Sequence, residues 1–65
     1  MSMAINKIRE TMAALYRGEI TDEQASEILS RYISRESLAE FVVDAFSRGW
    51  ITRFNLGIDD DGKVI

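Results

Sequence analysis

The chain has no cysteine, no histidine and no proline among its 65 residues, and only four glycines. Each absence excludes something. Without cysteine no disulfide can staple the fold, and without cysteine or histidine the ordinary zinc sites lack their ligands. The missing thiol and imidazole also remove the usual nucleophile and general base, so any catalytic pair would need Ser or Thr with Lys or a carboxylate. Lys7 and Lys63 are the only lysines, and neither falls in a recognisable constellation. A phosphate-binding glycine loop is missing too. No apolar run approaches the ~18 residues that would cross a membrane. The opening Met-Ser-Met-Ala lacks the charged-then-apolar layout of a signal peptide. The sequence therefore predicts no catalytic residue, no cofactor, no metal site and no membrane partner, with the cytoplasm as the default location.

What is present suits a small helical domain. Hydrophobic residues make up 46% of the chain, which argues against disorder. A single domain over residues 1–65 is expected. A chain this short buries only ~60% of its unfolded surface, so helix packing or self-association must do what a disulfide or metal does in other small proteins. Eleven acids against eight bases give a net charge of −3. That balance disfavours sequence-independent attraction to phosphates; it favours solubility or a basic partner surface.

Hydrophobic spacing predicts three helices at about 3–17, 22–33 and 35–48. In the first, Met1, Ile5, Ile8, Met12 and Leu15 alternate spacings of four, three, four and three, one continuous stripe suited to a core-facing helix. Ser2 is its expected cap and Gly18 its stop. Thr21-Asp22-Glu23-Gln24 reads as a capping box opening the second helix, with Asp22 and Glu23 favoured by the helix dipole. Ala25, Ile28, Leu29, Tyr32 and Ile33 form its apolar face. Ser34 is the expected cap of the third helix and Gly49 its stop. After Gly49 the period changes to two: Trp50, Thr52, Phe54, Leu56 and Ile58 alternate with Ile51, Arg53, Asn55 and Gly57. This predicts a strand over about 50–58, an Asp-Gly turn and a short return at 63–65, a C-terminal strand or β-hairpin with an open edge. The fold class is thus mainly α, three helices followed by a strand or hairpin.

The third helix carries the candidate site. Leu38, Phe41, Val42 and Ala45 share one face and read as the core stripe. A second row of Ala39, Val43, Phe46 and Trp50 lies roughly a quarter turn or more away, and Glu36, Glu40 and Asp44 repeat every four residues on the remaining side. Two readings of Val43, Phe46 and Trp50 stand side by side. Either the helix is central and packed on both flanks, or part of this row is a binding or dimer surface anchored by aromatics. The acid row suits a solvated face, or contacts to a basic partner. Asp59-Asp60-Asp61-Gly62 fails as a calcium loop. With Gly62 sixth, the chain ends before the twelfth, glutamate position, so the cluster reads as a turn.

From Ser34 to Ile65 the chain resembles the second half of a winged helix-turn-helix domain. The resemblance is carried by Ser34-Arg35-Glu36-Ser37-Leu38, then Phe41-Val42, then Arg48-Gly49-Trp50-Ile51-Thr52-Arg53, then Asp60-Asp61-Gly62-Lys63. It implies a recognition helix, a wing and DNA binding. The positions that would then face DNA carry Glu36, Ser37, Glu40 and Asp44 on the helix and Asp59, Asp60 and Asp61 on the wing, the wrong charge for phosphate. Fold and function separate in this way. The expected function is therefore a small non-enzymatic interaction protein binding another protein, or itself as a homodimer. Val43, Phe46, Trp50, Glu36, Glu40 and Asp44 are its contact residues, and DNA-binding regulation is the alternative. A small regulator or inhibitor of the kind phages and mobile elements encode fits the size.

Overall fold

The computed structural model of the protein describes residues 3–65. Three helices form in order: α1 spans Met3–Tyr16, α2 Asp22–Leu29 and α3 Glu36–Ser47. The expected contributions of Met1 and Ser2 to α1 lie outside the described residues. Helix α2 packs against both α1 and α3. Ser47 at the end of α3 donates its hydroxyl to Asp22 at the start of α2 (3.2 Å), so these two helices run antiparallel.

The ends follow from local chemistry. Thr21 caps α2 as the sequence predicts: its hydroxyl accepts from the Gln24 N–H (3.1 Å), and the Gln24 side chain accepts from the Thr21 N–H (2.9 Å). Such a reciprocal cap contributes ~1 kcal/mol. Helix α2 ends at Leu29, short of the expected 33. Beyond it the amides of Arg31 and Tyr32 reach the carbonyls of Ile28 and Leu29, three residues back, a tightening common at helix ends. Arg35, not Ser34, is the N-cap of α3, and it makes no side-chain capping bond. At the far end Gly49, at φ +79, lets its own amide reach Phe46 and that of Trp50 reach Ala45. This pair of bonds closes a helix through a left-handed residue.

The core contains Met12, Ala13, Ala25, Leu29, Ala39, Val43 and Ile58, with Ile8, Leu15, Ile20, Ile33, Val42, Phe46, Leu56 and Val64 packed around it. Three members of this cluster, Ala13, Ala25 and Ala39, are alanines, small enough to let the helices approach closely. The buried sector of α3 is therefore not the expected one. Ala39 and Val43 face inward, while Leu38 and Phe41 remain 47% and 53% exposed. Relative to the predicted Leu38–Phe41–Val42–Ala45 stripe, α3 is rolled toward its second row. Ala45 and Val42 sit on the border and still reach cover.

The expected strand over 50–58 does not form, and this is the main correction to the fold. Residues 52–57 instead make one tight helical turn. Thr52 and Asn55 reproduce the capping geometry of Thr21 and Gln24, with the Thr52 N–H donating to Asn55 Oδ1 (2.9 Å). The amides of Asn55, Leu56 and Gly57 each bond three residues back, and Ile58 N–H reaches the Arg53 carbonyl (2.9 Å). Gly57, at φ +69, supplies the left-handed exit. A local cap and a glycine stop thus override the period-two pattern, which Ile51 already breaks by putting an apolar residue on the polar side. All that remains of the hairpin among the described residues is one antiparallel bridge between Ile58 and Val64. It is closed by Asp59 N–H to Lys63 O and Ile65 N–H to Gly57 O, both 2.8 Å, and it offers no open strand edge to a partner.

Candidate functional site

The basic side chains show first what the surface is not doing. Arg9 leaves α1 to donate to three carbonyls of the C-terminal segment: Leu56 (2.8 Å), Gly57 (3.1 Å) and Ile65 (3.2 Å). About two turns further along, just past the end of α1, Arg17 donates to the Gly62 carbonyl and to both carboxylate oxygens of Glu19 (2.7 and 3.1 Å). Arg53 lies against the Phe54 ring, 4.0 Å from its centroid, with Tyr16 at 5.6 Å, and pairs with Asp60 at 2.6 Å. Asp59 accepts from the amides of Asp61 and Lys63 (both 2.9 Å). The acidic turn is thus internally bonded and tied back to arginine. Arg48 pairs with Asp44 (2.8 Å) and lies over Trp50, 5.4 Å from the ring centroid.

On the opposite flank, the four-residue spacing of Glu36, Glu40 and Asp44 sets them in one row along α3. Helix α2 presents Asp22, Ser26 and Ser30 at the same spacing, with Glu23 and Glu27 beside them. The two helices leave a groove of about 560 Å³ between these rows, with Val43 in its lining. Eight helical residues advance about 12 Å, which sets the length of each row. Six carboxylates line the groove and no basic residue does. Two of them have partners, Asp22 with Ser47 and Asp44 with Arg48. Among the described residues no Lys or Arg lies within ion-pair distance of Glu23, Glu27, Glu36 or Glu40. Nor does any group of three or more of these acids converge on a point that could hold a metal ion. The arrangement is a strip of negative potential, and strips of one sign steer and orient partners of the other.

The six residues singled out in the sequence separate. Glu36, Glu40 and Asp44 are exposed and come together along the groove. Val43 is 3% exposed, so it supports the groove from the core and offers little surface to a partner. Phe46 is half-buried against the core. Trp50, at 66% exposure, is outside. The expected row is therefore no continuous surface: its first members hold the fold, and Trp50 stands beyond the end of α3.

Sequence reasoning missed two parts of this surface. The α2 half of the groove is carried by Asp22, Glu23 and Glu27 opposite the Ala25–Ile28–Leu29 face, and the first two have an equally good explanation as dipole charges. Leu38 and Phe41 are the second omission. Being apolar and in register with one another, they read as core, yet they form an exposed apolar flank on the side of α3 away from the acid row. No helix among the described residues is long and apolar enough to cross a membrane. Comparison with protein-family models, with curated proteins and with solved structures finds no match to this chain.

Proposed function

We propose that this is a small non-enzymatic interaction protein that binds a basic segment of a partner protein in the groove between α2 and α3. One observation carries the reading: six carboxylates line that groove and no basic residue does, only Asp44 being ion-paired among the described residues, with Arg48. Like charges at four-residue spacing on one helix cost ~0.2–0.5 kcal/mol per pair, and a second acidic helix alongside adds to the repulsion. A stretch of Lys and Arg laid along the groove relieves both. Leu38 and Phe41 on the other flank, and Trp50 past the helix end, supply apolar contact of the kind that anchors interfaces.

Four of the eight basic residues, Arg9, Arg17, Arg48 and Arg53, are occupied within the chain by carbonyls or carboxylates. That distribution supports a protein partner ahead of the DNA reading implied by the winged-helix resemblance. Immobilised wild-type chain and a Glu36→Lys/Glu40→Lys variant, compared as baits at low and high salt, test the proposal. We expect the wild type to hold a basic protein that the variant releases, with retention falling as salt rises. Equal retention by both baits would remove the groove from the account. Retention of mixed-sequence DNA by the wild type at low salt would favour the regulator instead. Concentration-dependent sedimentation with no heterologous capture would favour a homodimer.

A further inference from the structure

We draw no further inference here: the strongest candidate, the apolar recess of about 500 Å³ between α1 and the C-terminal segment, lined by Ile5, Ile8, Phe54 and Leu56, is an unpartnered apolar face, and nothing in the structure shows what covers it.

Discussion

The seam between α1 and the C-terminal segment and the groove between α2 and α3 treat charge in opposite ways. Along the seam, long cationic side chains reach across and end on backbone carbonyls. Arg9 serves Leu56, Gly57 and Ile65, and Arg17 serves Gly62. The turns of the segment satisfy several of its carbonyls but, among the described residues, give no backbone donor to those of Leu56 and Gly62, and a buried carbonyl left without a donor costs ~1–3 kcal/mol. The guanidinium groups are therefore part of the fold, and they help keep Ile58 inside, where its burial is worth ~2 kcal/mol. Along the groove, charges of one sign are set side by side with few partners. Beyond the dipole contribution of Asp22, Glu23 and Glu36 in the first turns of their helices, folding gains nothing from that. Charge that stabilises is found where the chain is irregular, and charge left uncompensated lies where the helices are regular.

That contrast can be broken at the seam first, where the expected effects are largest. Arg9→Met keeps much of the aliphatic stem and removes three hydrogen bonds. Stability should fall by about 2–3 kcal/mol in urea unfolding, and the amides of Ile58 and Ile65 should lose protection from hydrogen exchange. Unchanged protection would mean that the segment holds itself in place.

Two glycines sharpen the same point. Gly49→Ala meets open space and carries only the strain of a positive φ, about 1 kcal/mol. At Gly57 an added Cβ would sit 2.2 Å from Arg9 Nη2. Gly57→Ala must therefore also displace a guanidinium held by three carbonyls. Its thermal midpoint should drop further than that of Gly49→Ala; equal drops would show that Arg9 moves aside freely.

A smaller effect is expected at the surface. The Glu19 carboxyl titrates below its usual 4.5, chiefly because it accepts from the Arg17 side chain. A lowered pKa contributes stability above the unfolded value that is lost as pH falls through the folded one. Glu19→Gln should accordingly remove a slight part of the acid-side loss below about pH 4.5 and leave the neutral-pH slope alone, as read by acid titration of circular dichroism. No change on the acid side would mean that the pair is not maintained in solution.

Much of the helical frame was legible in the residues themselves. Thr21–Gln24 announced a cap, Gly49 announced a stop, and the α1 stripe led to Ile8, Met12 and Leu15. What escaped was the roll of α3. Leu38, Phe41, Ala39 and Val43 are all apolar, and hydropathy along one helix does not say which apolar sector its neighbour will take. The neighbour took the side with the small residues: Ala39 meets a core already containing Ala13 and Ala25, and three alanines allow an approach that Leu38 and Phe41 would block. The C-terminal strand escaped for a different reason. Thr52 and Asn55 cap a turn as Thr21 and Gln24 do, but the alternation around them reads more loudly than the cap. For the site, the acid row of α3 was visible and its partner row on α2 was not, because a groove belongs to two helices and each row alone looks like a solvated face.

The division of labour between seam and groove rests most directly on the stability of the groove variant. In urea unfolding at neutral pH and low salt, Glu36→Lys/Glu40→Lys should have a midpoint close to that of the wild type. A lysine at position 40 turns the repulsion from Asp44 and from the acids across the groove into attraction, each such pair worth ~0.2–0.5 kcal/mol. That offsets the new repulsion between the two lysines and the loss of a negative charge from the first turn of α3, and no hydrogen bond of the fold is touched. A midpoint lower by ~1 kcal/mol or more, beyond what exposed substitutions away from structural features ordinarily cost, would contradict the account. It would show that these carboxylates hold the helices together and do not wait for a partner.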